Sequence, residues 1–382
     1  MSPFDPTIDA SFREYADLQL RRNALLTEGK EQDPEFDHIE DRMTELWETL
    51  DETQRNSANG MGSDLNWIRR KGLPAPMSRK AQEVSRAEQD ELLAALQSNE
   101  WHRLLYYLRV CSPTILAANL AYRRGQAYNA IGFPSYSIGF YELAADLEPS
   151  NASLGVAAIL ALDQVNPARA LSRAEHVLTS SVRYPMAVVA MSAMIALHYA
   201  EAEGLSIDTT RYRRILEDAI KRLPLEPVSA AGSAMVYQFV AFGFEIIGDL
   251  PSALKCYEEG LRLSPDNEIL LICKGMLLYG NRTNEAVEAF RRVISNEGTA
   301  LVWPYYYLAH YFLVQRNYDD SARMAQQAWE RATTDPIRAE LLEWQAICLS
   351  VNGYPPGLVR PWFEKAVSLD PSNERIDRKS VV

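Results

Sequence analysis

The sequence predicts an all-α protein made of repeated helical hairpins, and three observations carry that expectation. A pattern of small, aromatic, glycine and proline positions returns about every 34 residues from residue 85 onward. No segment shows sustained period-two alternation of apolar and polar residues, the signature of a half-buried strand. The 47% hydrophobic and 10% aromatic contents are those of a folded chain.

Residues 1–58 read as an acidic helical hairpin. Phe12, Tyr15, Leu18 and Leu25 recur at near-helical spacing, and Gly29 ends that pattern. Asp33-Pro34 opens a second helix, in which Ile39, Met43, Leu46, Trp47 and Leu50 form one apolar stripe flanked by acids. Two short helices cannot fully bury such stripes against each other. The pair is therefore expected to dock, either as a cap on the first repeat or as a partner-binding or dimerising module. Residues 59–84 read as a linker. Asn59-Gly60-Met61-Gly62 signals a flexible break, followed by the basic, proline-bounded segment with Arg69, Arg70, Lys71, Arg79 and Lys80.

The repeats follow over residues 85–371. The first is degenerate, with Trp101 through Leu108 as its second helix. The second is the best formed, with Gly125, Tyr128, Gly132, Tyr141, Ala144 and Pro149 in order. The third places Ile159 one period beyond Gly125. The fourth lengthens its turn over Glu203–Asp208. The fifth runs Tyr237, Ala241, Phe244, Gly248, Ala253, Tyr257, Gly260 and Pro265, and the sixth has Gly275 and Phe290. Ala309 and Phe312 mark the seventh, and Phe363, Ala366 and Pro371 close the eighth. A small residue at a helix crossing lets two helices approach, aromatics fill the space beside it, and proline stops the second helix. One hairpin cannot bury its own apolar face, so neighbours must stack.

That order and spacing resemble the tetratricopeptide repeat. The resemblance implies a right-handed α-solenoid of about eight hairpins preceded by the acidic hairpin, with the short polar tail 372–382 at the end. It also implies that first helices line a concave groove, positions 2, 5, 9 and 12 of each repeat pointing into it. By register these are Asn119, Tyr122, Gln126 and Asn129 in the second repeat, and Met235, Gln238, Phe242 and Glu245 in the fifth. They are Ile269, Ile272, Met276 and Tyr279 in the sixth, and Trp303, Tyr306, His310 and Leu313 in the seventh. Trp344 and Cys348 continue the line. The family's known lysine and asparagine clamp for a peptide carboxylate is not expected, because these positions carry no lysine.

The formal charge is −12, and residues 1–60 hold most of it, with 15 Asp and Glu against 6 Lys and Arg, a net of −9. Such a chain is disfavoured near phosphate backbones, so nucleic acid is not the expected partner. No apolar run is long enough for a membrane span, and the N-terminus lacks a signal-peptide pattern, so a cytoplasmic location is expected. Cys111, Cys256, Cys273 and Cys348 stand far apart and read as reduced, buried thiols. The five histidines show no metal-ligand spacing, and no nucleophile or phosphate-loop motif occurs. No metal, no cofactor and no catalysis are therefore expected.

The leading expectation is a scaffold or adaptor that holds a partner's peptide or helix in the groove. Aromatic residues and methionine, enriched at interaction surfaces, dominate its C-terminal half. Two other readings stand beside it. One is a self-assembling structural subunit joined through the N-terminal hairpin and the last repeat. The other is a regulatory sensor that holds a small ligand or nucleic acid through the basic segment. For self-assembly, Val359, Trp362, Phe363 and Val367 of the last helix are the expected interface, because no further repeat follows to cover them.

Overall fold

The computed structural model describes residues 9–71, 80–206, 208–295 and 299–371. All regular structure among them is helical, in two compact units, Met1–Arg222 and Leu223–Val382. No helix among the described residues is long and apolar enough to cross a membrane.

The first unit opens with α1 (Ala10–Thr27), α2 (Pro34–Thr49) and α3 (Glu52–Arg69). Asp9 caps α1 by accepting the Phe12 amide at 2.8 Å, and Asp33 with Pro34 starts α2 as the sequence predicts. The expected break at 59–62 is not there, because α3 runs through it. Asp51 and Gln54 form a reciprocal capping box that starts this third helix, so the N-terminal element has three helices. Its glycines serve close approach. A Cβ on Gly60 would lie 2.4 Å from the Arg109 guanidinium, and one on Gly62 would lie 2.9 Å from the Gln19 amide.

Four hairpins follow in this unit. They are α4 (Arg86–Gln97) with α5 (Trp101–Val110), α6 (Ala117–Ala130) with α7 (Pro134–Leu147), α8 (Ala152–Val165) with α9 (Pro167–Thr179), and α10 (Met186–Ala202) with α11 (Thr209–Arg222). The N-terminal helices share one apolar core with the first two hairpins, from Phe12 and Leu25 through Leu104 to Tyr128, Tyr136 and Phe140. Of the two expectations for this element, the cap is what the packing shows. Tyr136 donates from its hydroxyl to the Ala16 carbonyl at 2.9 Å.

A buried charge cluster completes that junction. Asp64 on α3 takes Arg109 at 2.9 Å and Arg124 at 2.9 Å, and the Tyr128 hydroxyl donates to it at 2.6 Å. The Arg124 guanidinium also lies 4.9 Å from the Trp67 ring centroid, which spreads its charge over an aromatic face.

The second unit also has four hairpins. These are α12 (Ala230–Ile246) with α13 (Leu250–Leu263), α14 (Glu268–Leu278) with α15 (Thr283–Ser295), α16 (Trp303–Val314) with α17 (Tyr318–Trp329), and α18 (Asp335–Val351) with α19 (Pro356–Leu369). The small residues at the crossings sit where the period places them. A Cβ on Gly275 would lie 2.6 Å from the Phe290 ring, and one on Gly125 would lie 3.0 Å from Tyr141. First helices end in a recurrent turn, with glycine at positive φ in Gly132, Gly248 and Gly353. In the α16–α17 turn Arg316 takes that place at φ 58°.

Candidate functional site

In the first unit the groove positions lie on α6. Tyr122 packs its ring 5.6 Å from that of Tyr141, and Gln126 donates to the Tyr122 hydroxyl at 3.3 Å. Arg123, which register reasoning did not single out, donates to Gln126 at 2.7 Å and stands over the Tyr122 ring. Asn119 and Asn129 are exposed. The result is a polar patch with its hydrogen-bonding groups partly engaged.

The second unit holds a denser set. On α12, Gln238 and Phe242 are half-buried, and Phe242 meets Tyr257 edge-on at 6.2 Å. Glu245 accepts the Tyr257 hydroxyl, and burial holds its carboxyl above the usual range. On α14, Met276 is 37% exposed whereas Ile272 is core. Tyr279, just past the end of α14, bonds through its hydroxyl to Nδ1 of His310 on α16 at 2.7 Å. Burial pushes the Tyr279 phenol up to about 12, so it stays protonated.

Around that pair the aromatics form a connected row. Trp303 meets Tyr306 at 5.9 Å, Tyr306 meets Trp344 at 4.8 Å, and His310 meets Trp344 at 5.4 Å. Tyr306 also bonds through its hydroxyl to Glu340 on α18. Tyr307, not singled out from the sequence, lies between Tyr279 at 4.9 Å and Phe290 at 5.2 Å. Its signal was present in the density of the run Trp303-Pro304-Tyr305-Tyr306-Tyr307.

Two register expectations need correction. Trp344 is only 4% exposed and lies against the Tyr306 and His310 rings as floor, and Cys348 is buried. A first helix that is flanked on two sides keeps fewer positions open than a four-position register implies. The second correction concerns α19. Val359 is buried, and Val367 packs on the core formed by Ala339, Leu342 and Ala366. Only Trp362, 36% exposed, and half-buried Phe363 remain of that expected face, and Leu358 joins them in the open. The tail 372–382 and Arg79 of the basic segment lie outside the described residues.

All four cysteines are buried and free, and burial pushes the Cys256 and Cys273 thiols up to about 12, far from a reactive thiolate.

No family model matches the chain, and no curated protein sequence matches it. Solved structures do. A monomeric mutant of IFIT1 with Gppp-AAAA is 11% identical over 98% of this chain and 86% of that one, with a TM-score of 0.51. A tetratricopeptide repeat protein from Parabacteroides merdae is 12% identical over 68% of this chain and 97% of its own, with a TM-score of 0.49. The Cut9-Hcn1 hetero-tetramer of the APC/C is 15% identical over 88% of this chain and 65% of that chain, with a TM-score of 0.49. At such identities the likeness is one of fold. With the 34-residue period, the eight hairpins among the described residues form an all-α, repeated helical-hairpin fold similar to that of tetratricopeptide-repeat structures.

Proposed function

We propose that the protein is an interaction scaffold, and that the row of Met276, Tyr279, Tyr306, Tyr307 and His310 in the second unit holds a peptide or helix of a partner protein. The observation that carries this reading is the half-buried state of the rings on α16 and at the end of α14, fixed in place by the Tyr279–His310 and Tyr306–Glu340 hydrogen bonds. Rings already held in one geometry lose little entropy on binding, and they offer large contact area with polar edges. A self-contained core would bury them as it buries Tyr257 and Phe290.

The IFIT1 structure of similar fold is one with Gppp-AAAA. The row described here favours a peptide instead. Its members and their neighbours Gln238, Phe242 and Glu245 include neither lysine nor arginine, so nothing at these positions neutralises a phosphate.

Affinity capture from a native lysate with mass spectrometry, run with wild type and with the Tyr279→Ala/Tyr306→Ala double variant, tests the reading. The variant should lose the captured partner while its circular dichroism stays helical. Loss of helical signal would show that the rings are core, and equal capture would remove the row from recognition.

A further inference from the structure

The first unit contains a second surface of different chemistry. A cleft of about 490 Å³ opens between the end of α9, the α9–α10 loop and α11. Its floor is apolar, with Val177 and Met186 buried and Ile215 half-buried. Its rim carries Arg183 on the loop and Arg214, Arg222 and one acid, Asp218, on α11.

The combination of exposed guanidiniums with an apolar floor characterises this cleft. Arg222 is paired with Asp218 at 3.3 Å, and nearby Arg211 is paired with Glu175 at 3.3 Å. Arg183 and Arg214 are both exposed, and no carboxylate among the described residues pairs with either. These two guanidiniums stand over an apolar floor, which gives the cleft both charge and hydrophobic contact area.

We propose that this cleft docks an acidic amphipathic segment of a partner protein, an aliphatic or aromatic side chain entering the floor and flanking carboxylates meeting Arg183 and Arg214. Charge complementarity selects this occupant. Guanidinium groups bind carboxylates in bidentate geometry, and the apolar floor contributes contact area that a phosphate backbone could not use. The cleft is a site of the first unit alone, independent of the aromatic row in the second.

The test uses the full chain and a short fluorescein-labelled peptide in which leucine and phenylalanine alternate with aspartate and glutamate at helical spacing. Fluorescence anisotropy should show saturable binding. A peptide with asparagine and glutamine for the acids, and one with serine for the apolar residues, should each bind roughly tenfold more weakly or worse, since charge and apolar contact both contribute. Arg183→Glu/Arg214→Glu should weaken the acidic peptide by a similar factor with an unchanged thermal melt, because both side chains are exposed. Lysine at both positions should restore most of the binding, and His310→Ala in the second unit should leave it intact. Undiminished binding by the double variant, or equal binding of the uncharged peptide, overturns the proposal. So does a dimer in light scattering that the double variant dissociates, which would assign the cleft to a second copy of the chain.

Discussion

Replacing Asp64 by asparagine is the most informative single change to the junction between the N-terminal helices and the repeats. The side chain is only 2% exposed, and it is the one carboxylate between two guanidiniums. Asparagine keeps the shape and can still accept from Tyr128, but it removes the compensating charge. Breaking a buried ion pair from one side costs ~3–5 kcal/mol, because the remaining charge stays desolvated. Two features pull the value toward the lower end. The Arg109 side chain is 26% exposed and can recover water, whereas that of Arg124, at 7%, cannot. Arg124 falls back on the Trp67 ring, an interaction of ~0.5–2 kcal/mol. We expect a loss of about 3 kcal/mol, lowering the melting temperature by roughly 6–12 °C for a unit of this size. Urea unfolding followed by circular dichroism, with hydrogen exchange read on α3, α5 and α6, measures it. Adding Arg124→Met to Asp64→Asn should recover at least half of the loss, since the uncompensated charge goes with it. A single-variant loss below ~1 kcal/mol, or a double variant that is simply additive, would refute the argument that buried charge balance holds this junction.

Other outcomes follow from separate parts of the molecule. Gly275→Ala should cost more than Gly125→Ala in thermal melts, within the ~1–3 kcal/mol typical of overpacking, because Phe290 is fully buried whereas Tyr141 is half-buried and can yield. Arg316→Gly should stabilise the second unit by about 0.5–1 kcal/mol in urea titrations, since a non-glycine residue at positive φ carries a strain that glycine lacks. Burial raises the folded-state pKa of Glu245, so its ionisation is disfavoured in the native protein and stability falls as pH rises through that value. Glu245→Gln, which keeps an acceptor for Tyr257, should therefore gain stability relative to wild type between pH 4 and pH 8, and a difference independent of pH would contradict this. Finally, Phe363→Glu should abolish any self-association seen by light scattering while the hairpins stay folded, and Val359→Glu should unfold the last hairpin, since Phe363 is half-buried whereas Val359 is buried.

The array was legible because its information is periodic. Asp33-Pro34 starts α2 as the sequence predicts, because capping residues and prolines act locally. Helix α3 was not legible. Asn59, Gly60 and Gly62 argue for a turn on local propensity, and that propensity is overridden by partners 43 or more positions away along the chain. The Arg109 side chain needs the space that Gly60 leaves empty, and no single-sequence pattern records that. Groove register failed for a related reason. Whether Ile272 or Trp344 faces out depends on the hairpin stacked beside it, so a fixed set of four positions includes floor as well as wall.

The charge distribution has the same two-level character. Read as a sequence, residues 1–60 are an acidic block, a property of composition that invites an electrostatic role. In the fold many of those acids are spent on neighbours: Glu14 and Glu45 on Arg42, and Glu35 on Arg21. These pairs are exposed and individually worth little, but they neutralise the cap's own arginines in place. Further along, the single acid Asp64 must balance two buried arginines. Paired charge is quiet at the surface, and unpaired charge is what a partner meets. The pairing is partial, however, because 6 cations cannot offset 15 acids, and the block keeps its net of −9. What distinguishes the two guanidiniums at the α9–α11 cleft is their setting, since they border an apolar floor that can hold a side chain as well as meet its charge.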